Sequence, residues 1–475
     1  MKMNTIIKTT SRKDFKAKVY LLDMIEQIDN IELSKVETDY INECYESSKG
    51  KKTIHINRFT EHLYFYIFAK EEQYRRLEEA RRSGAAMTTR LNKHNFEDVL
   101  VTDVTGVNHE ETFAYAEGMA LANYQFNKYK SEPKDNCLNT IYLEEEYDEE
   151  LLNKLNITIE ATLLARDLVN EPVNHLNAIQ FAETVSSKLR EVGVHVEVLN
   201  KKKIEALKMG GLLAVNAGSI DEPTFTIAEW KPANKRNEQP FVLVGKGVVY
   251  DTGGYNLKTG AYMATMKHDM AGAATVAAAL YGIAKAKLPY HVIALIPATD
   301  NRIDGNAHVP GNVVTMFDGS TVEIVNTDAE GRMILADALS YAKKYEPMLV
   351  MDFATLTGAA SNAIGPHATV VMHNNADCYL ESLKKLGNDV YERLVEFPLW
   401  DEYAELIKSD IADVKNVGSK YGGAITAGKF LERFIDYPWI HFDIAGTAFL
   451  ESRDSYRGMG ATGIHVRLLM EYFGD

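Results

Sequence analysis

From residue 175 onward the chain carries a series of short apolar runs: Thr224–Trp230, Phe241–Tyr250, His291–Ala298, Met348–Phe353, Thr369–His373 and Trp439–Ile444. Stretches with helical spacing lie between them. Runs this short and this continuously apolar suit strands buried on both faces, and their alternation with helices implies an α/β fold with a largely parallel central sheet flanked by helices. Ligands of such sheets bind beyond the carboxyl ends of the strands. The polar residues that directly follow the apolar runs are therefore the place to look for function.

A chain of 475 residues exceeds what one hydrophobic core usually organises, so two domains are expected. Residues 1–145 mix charged helical stretches with the short apolar runs Leu63–Phe68 and Val99–Val104, which reads as a small N-terminal α/β domain. Six of the seven residues from Glu144 to Glu150 are acidic, marking a boundary. The apolar-periodic stretch Leu151–Val169 follows and is closed by Asn170, Glu171 and Pro172, since proline cannot continue a helix. This places a linker helix within 146–172 and a catalytic domain over 173–475.

A net charge of -15 disfavours a broad phosphate-binding surface, so nucleic acid is not the expected partner. The N-terminal stretch lacks the apolar core of a signal peptide. The longest candidate for a membrane span, Gly272–Ala284, falls short of the roughly 20 apolar residues required. Cys44, Cys137 and Cys378 are far apart and form neither a zinc pattern nor a disulfide framework. A reducing cytoplasm is the expected location.

Chemistry concentrates at the ends of the apolar runs. Lys246 sits inside the run Phe241–Tyr250, which leads into Asp251, Thr252, Gly253, Gly254 and, shortly after, Lys258. Lys246 reads either as a lysine snorkelling out of the sheet or as a metal ligand, and a ligand must be neutral. Asp269 precedes an alanine-rich helix and reads either as a helix N-cap or as a carboxylate facing a metal. Asp328 and Glu330 occupy alternate positions before a helix expected to start near Gly331, where extended backbone would point both one way.

Together, Asp251, Asp269, Asp328 and Glu330 are the oxygen-rich inventory a pair of divalent ions requires, with charges that balance. Lys258 and Arg332 remain as surplus positive charge, suited to an oxyanion and to a small anionic base. Competing chemistries lack their signatures: HEETF at His109 is not HExxH, no GxSxG elbow occurs, and the GKG around Lys246 lacks the spacing of a phosphate loop. His268 neighbours Asp269, but adjacent side chains point apart, and it stays outside the site.

The blocks VGKGVVYDTGGYNLK, MKHDMAGAAT, NTDAEGR, DFATLTGA, SDIADVKNVG, GGAITAGKFL and DIAGTA, in this order, resemble the leucyl aminopeptidases, the hexameric cytosol aminopeptidases that include bacterial aminopeptidase A. Weaker similarity in ARDLVNEPVN and MGGLLAVNAGS extends the likeness over roughly 115–475, while the first hundred or so residues match poorly. Two departures occur: YDTGG where many members have FDSGG, and HVPGN around Pro310 where an arginine and PGD are common.

The resemblance implies an aminopeptidase with two divalent ions per subunit, Mn2+ or Zn2+, with Mg2+ and Co2+ also tolerated. By the family's pattern Lys246, Asp251, Asp269 and Glu330 hold the tight ion and Asp251, Asp328 and Glu330 the exchangeable one. Lys258 then stabilises the oxyanion, and Arg332 holds a bicarbonate that acts as base. Met266, Thr355, Leu356, Gly358, Ala445 and Ala448 form the side-chain pocket, with leucine or another apolar residue preferred. The implied substrates are peptides with a free N-terminus, the implied assembly a homohexamer, and the N-terminal domain macro-like. The alternatives are a catalytically retired scaffold or a DNA-binding accessory protein of the same fold, and a two-metal phosphoesterase, against which a lysine ligand counts.

Overall fold

The computed structural model describes residues 5–47, 53–104, 109–144 and 147–474. Glu145 and Glu146 of the acidic segment, and the first four residues of the chain, lie outside the described residues. Two compact units are present. One comprises the chain up to Leu163 with the short segments 389–391 and 453–458, and the other comprises the remainder. The helix Glu149–Asn170 runs through the division and stops directly before Glu171 and Pro172.

The first unit holds a six-stranded sheet in the order Ile6–Thr9, Thr140–Leu143, Asp98–Asp103, Ala17–Leu22, His62–Ile67, Thr53–Asn57. All neighbours are parallel except the last pair, which is antiparallel. Helices Gln73–Lys93 and His109–Ala122 lie against each other, and a methyl at Gly84 or Gly118 would meet a facing backbone carbonyl oxygen at 2.1 or 2.0 Å. HEETF thus opens a helix, where Glu111 is paired to Arg76.

The second unit is built on a nine-stranded sheet. At its centre Trp439–Asp443, Leu349–Ala354, Phe241–Gly245 and Val292–Asn301 are mutually parallel. The sheet is mixed at its flanks: Thr224–Trp230 and the edge strand His195–Leu199 join antiparallel, as does Thr369–Asn374 on the other side. The alanine-rich helix Ala271–Lys285 is buried from Ala271 to Ala284. Its small residues let it approach the sheet closely, and a methyl at Gly272 would stand 1.9 Å from the carbonyl oxygen of Phe353. No helix among the described residues is long and apolar enough to cross a membrane. A second helix, Glu330–Ala342, is buried along its length and packs Met333, Ile334, Leu335, Ala338 and Leu339 into the core with Val242, Val244, Ile293 and Leu295. Truncating such a side chain, Leu335 for example, costs about 2–5 kcal/mol.

Three local expectations are corrected. The run Phe241–Tyr250 is two strands, Phe241–Gly245 and Gly247–Asp251, because at Lys246 the chain leaves its ladder with Leu349–Ala354 and continues beside Val292–Asn301 alone. Asp269 is not an N-cap: it ends the 3-10 helix Tyr262–His268, and Met270 precedes the alanine-rich helix. Thr327 and Asp328 form a turn rather than extended backbone, and the next helix begins at Glu330, so proximity of the two carboxylates comes from a turn meeting a helix end.

Candidate active site

The candidate residues gather at the carboxyl ends of the central strands. Lys246 lies at the break after Phe241–Gly245, Asp251 ends Gly247–Asp251, Asn301 ends Val292–Asn301, Thr355 follows Leu349–Ala354, and Asp443 ends Trp439–Asp443. Gly253 and Gly254, both at positive φ (86° and 62°), turn the chain back after Asp251, a conformation open to glycine at little cost. This turn returns Lys258 to the site.

Two ion-pair groups result. The Lys246 Nζ donates to Asp269 Oδ1 at 2.8 Å and to the Thr355 carbonyl at 2.8 Å, and lies 2.9 Å from Glu330 Oε1. Lys258 Nζ lies 2.7 Å from Asp251 Oδ2 and 2.6 Å from Asp328 Oδ1. Lys246, Asp251, Asp269 and Glu330 are each 4% exposed or less, so every charge is read by its neighbours at low dielectric. Gly331 is required by the same geometry, because a methyl there would meet Lys246 Cε at 2.5 Å.

The titrations follow. Burial opposes charge on Lys246, but Asp269, Glu330 and Asp251 outweigh it and hold the ammonium above the ordinary lysine range. Lys258 is raised in the same way, chiefly by Asp251 and Glu330 against its own burial. Burial and the negative charge of Glu330 push Asp251 up to about 7. Burial also raises Asp269 and Asp328. Burial works against ionising Glu330 too, yet Lys246 and Lys258 prevail and bring it down to about 2. Burial lowers Arg332 to about 10, still protonated at neutral pH.

Whether these residues fit divalent ions is decided by their oxygens. Asp251, Asp328 and Glu330 each place a carboxylate oxygen within 4.8 Å of the others. Asp269 Oδ2 and Glu330 Oε2 are buried and accept no hydrogen bond. A buried carboxylate oxygen without a donor is costly, and a cation satisfies it. The donor set is hard and oxygen-rich with one amine nitrogen, which Mn2+, Mg2+ or Zn2+ would accept.

Arg332, in the first turn of Glu330–Ala342, donates from Nη1 to the Asn416 carbonyl at 2.6 Å, and its buried Nε has no partner. Among the expected pocket residues, Thr355 spends its hydroxyl on Asp269 Oδ1 (2.7 Å). Leu356 and Ala445 donate their backbone N–H groups to Asp443 Oδ1. Met266 is half-buried in the 3-10 helix, Gly358 is exposed and opens the helix Gly358–Ile364, and Ala448 is buried with its carbonyl taken by Thr462. His268 is accounted for elsewhere: its ring stacks on Phe449 and its Nδ1 lies 2.5 Å from the Thr265 carbonyl, while burial lowers its pKa to about 4.

Four supporting residues were not visible as candidates in the sequence. Asn301 Nδ2 donates to Asp251 Oδ1 (2.8 Å) and to the Thr327 carbonyl (3.1 Å). Thr327 donates to the Gly253 carbonyl at 2.6 Å and accepts from the Asn256 backbone at 2.8 Å, locking the Lys258 loop to the Asp328 turn. Asn416 accepts from Val325 N and donates to the Asn326 carbonyl. Asp443 clamps the Thr357 hydroxyl at 2.6 Å besides the backbone N–H groups of Leu356, Thr357 and Ala445. Each joins segments far apart in sequence, so no local spacing reveals it.

An α/β sheet whose strand ends present four acids, two lysines and an arginine defines a metal-dependent hydrolase. Comparison with known proteins makes the class specific. Residues 163–470 match the family described as "Cytosol aminopeptidase family, catalytic domain". A "Probable cytosol aminopeptidase" of Clostridium perfringens is 43% identical over 368 residues, covering 75% of this chain and 74% of that protein. One from Chlorobaculum parvum is 51% identical over 310 residues, 65% of this chain and 61% of that protein. The chain belongs to the cytosol aminopeptidase family and is an aminopeptidase, a hydrolase of peptides.

Solved structures agree. A cytosol aminopeptidase from Coxiella burnetii superposes with a TM-score of 0.84 at 26% identity, covering 98% of each chain. The bottromycin maturation enzyme BotP in complex with Mn gives 0.84 at 27% identity over 96% of this chain and 99% of that one.

Proposed function

We propose that this chain removes the N-terminal residue, leucine or another apolar residue by preference, from peptides with a free amine. The observation that carries the reading is the convergence of Asp251, Asp328 and Glu330 within 4.8 Å beside two buried-amine partners, Lys246 and Lys258. Lys246, Asp251, Asp269 and Glu330 would hold one divalent ion and Asp251, Asp328 and Glu330 the other, with Asp251 and Glu330 shared. Bound there, two such ions supply Lewis acidity and a water acidic enough to act as nucleophile near neutral pH. Mn2+ or Zn2+ suits the donor set, and the manganese-bound relative supports the first.

The chain's own groups do the rest. Lys246 offers its Nζ as a ligand only after giving up the proton that Asp269 and Glu330 hold on it. Lys258, half-buried and held on Asp251 and Asp328, presents an ammonium to the negative charge that grows on the scissile carbonyl oxygen. Arg332 stays cationic and keeps a buried Nε–H to donate, which suits a small anion such as bicarbonate, a group that would supply a base there. Met266, Thr355, Leu356, Gly358, Ala445 and Ala448 would receive the substrate's first side chain. The space above Gly358, where an added methyl would meet nothing within 4 Å, leaves room for it. Likeness to the cytosol aminopeptidases supports a cytoplasmic location and a homohexamer.

The test is hydrolysis of leucine p-nitroanilide beside its N-acetylated form. Cleavage of only the free-amine compound is the expected result, and equal cleavage of both would reject an exopeptidase.

A further inference from the structure

The N-terminal unit carries a cluster of three histidines that the aminopeptidase chemistry does not use. His55 lies on Thr53–Asn57, His62 opens the antiparallel neighbour His62–Ile67, and His94 caps the C-terminus of helix Gln73–Lys93. His55 Nε2 and His62 Nδ1 are 3.0 Å apart. The rings of His55 and His62 are centred 5.0 Å apart, those of His62 and His94 5.1 Å, and those of His55 and His94 6.5 Å.

Neighbouring rings fix the first two imidazoles. His55 stacks on Tyr64 at 4.5 Å and 10°, and His62 meets Phe96 edge-on at 5.1 Å. Burial and the neighbouring histidines lower the pKa of His55, with Arg90 adding to it, and burial and His94 lower that of His62. Both imidazoles are therefore neutral at physiological pH, the form that binds metals.

The spacing of the His55–His62 pair matches two vertices of a coordination sphere. Two zinc–imidazole bonds of about 2.0–2.1 Å at a tetrahedral angle put the two nitrogens about 3.3 Å apart and the ring centres roughly 5 Å apart. The His55–His62 pair meets both values to within a few tenths of an ångström, and His62–His94 meets the second. The His55–His94 edge is long and the ring nitrogens of the three are not all within 4.8 Å of one another, so His94, exposed at a helix end, must turn inward to complete the site. We propose that His55, His62 and His94 form a binding site for one transition-metal dication of the zinc class, distinct in its residues from the carboxylate site.

The proton count closes without a co-reactant. One imidazole of the His55–His62 pair carries the shared proton, and it moves that proton to its other ring nitrogen as the metal takes its place. The all-imidazole donor set separates this site from the oxygen-rich one: it favours Zn2+, Ni2+ or Cu2+ over Mn2+ or Mg2+. Arg90 also lowers the pKa of His55, so its charge opposes the ion and an affinity below that of a closed structural zinc site is expected.

The experiment compares zinc content per chain, by elemental analysis after equilibration at buffered free Zn2+, for the full-length protein, the double variant H55Q/H62Q and His94→Ala. Circular dichroism reports folding of each, and turnover of leucine p-nitroanilide reports the carboxylate site. The expected result is one zinc fewer per chain in H55Q/H62Q, a zinc affinity weakened at least tenfold in His94→Ala, and unchanged turnover in both. Equal zinc content and affinity in all three proteins would overturn the site. Should the double variant fail to fold, the affinity of the exposed His94→Ala variant decides alone.

Discussion

Asn301 gives the sharpest test of how the carboxylates are held. It is 1% exposed, and its Nδ2 is the donor that joins Asp251 Oδ1 to the Thr327 carbonyl. Replacing it with alanine removes one hydrogen bond to a charged group, worth about 1.5–3 kcal/mol, and one between neutral groups, worth about 1 kcal/mol. It also leaves a void the size of an amide beside the metal oxygens. Asp251 keeps two other partners, the Gly253 backbone N–H at 2.8 Å from Oδ1 and the Lys258 ammonium at 2.7 Å from Oδ2, so the carboxylate loses orientation without losing its place. Removing a partner of this kind typically weakens metal binding or activity roughly 10- to 100-fold. The assay is the Mn2+ concentration giving half-maximal hydrolysis of leucine p-nitroanilide by chelator-treated Asn301→Ala. A rightward shift of at least tenfold, with the plateau rate falling less, is expected. A midpoint equal to that of the parent protein would refute the claim that Asn301 positions Asp251.

Lys258→Met removes the ammonium paired with both Asp251 and Asp328, and kcat should fall about 10²- to 10³-fold with KM nearly unchanged; loss confined to KM would contradict the oxyanion role. Gly331→Ala places a methyl 2.5 Å from Lys246 Cε and should cut turnover sharply while the chain stays folded, as read by circular dichroism. His441, buried and bound through Nδ1 to Asp352 Oδ1 at 2.6 Å, has a raised pKa because Asp352 overcomes the burial that opposes its charge. Its folded pKa exceeds its unfolded one, so the stability it contributes is complete below about pH 6.5 and is lost as pH rises through the folded value. The unfolding midpoint should therefore decline over that range in the parent chain and less in His441→Gln, and parallel pH profiles would reject the assignment.

Much of the architecture was legible because strands buried on both faces leave long apolar runs: Thr224–Trp230 is recovered residue for residue, and Met348–Phe353 and Trp439–Ile444 to within one position at an end. Asp251 was legible because it follows one of those runs, and Asp269, Asp328 and Glu330 because they stand at or just before helix starts. What escaped was set by distant partners. The edge strand His195–Leu199 alternates charged and apolar residues on a half-exposed edge and gives no apolar run. The antiparallel placing of Thr224–Trp230 depends on its pairing with Val292–Asn301 rather than on its own composition. Asn301, Thr327, Asn416 and Asp443 are ordinary polar residues until the fold joins them to groups 50 to 91 positions away. The three histidines at 55, 62 and 94 share no metal-ligand spacing, and only the meeting of two strands with a helix end collects them.

The central claim is that the acids at the strand ends hold the ions that make this chain a peptidase. The most direct measurement is the turnover and Mn2+ content of the chelator-treated protein and of Glu330→Ala, before and after Mn2+ is restored. The account predicts that chelation abolishes cleavage of leucine p-nitroanilide, that Mn2+ restores it as two ions bind per chain, and that Glu330→Ala stays folded, inactive and short of Mn2+. Full turnover after chelation, or an active Glu330→Ala, would contradict it.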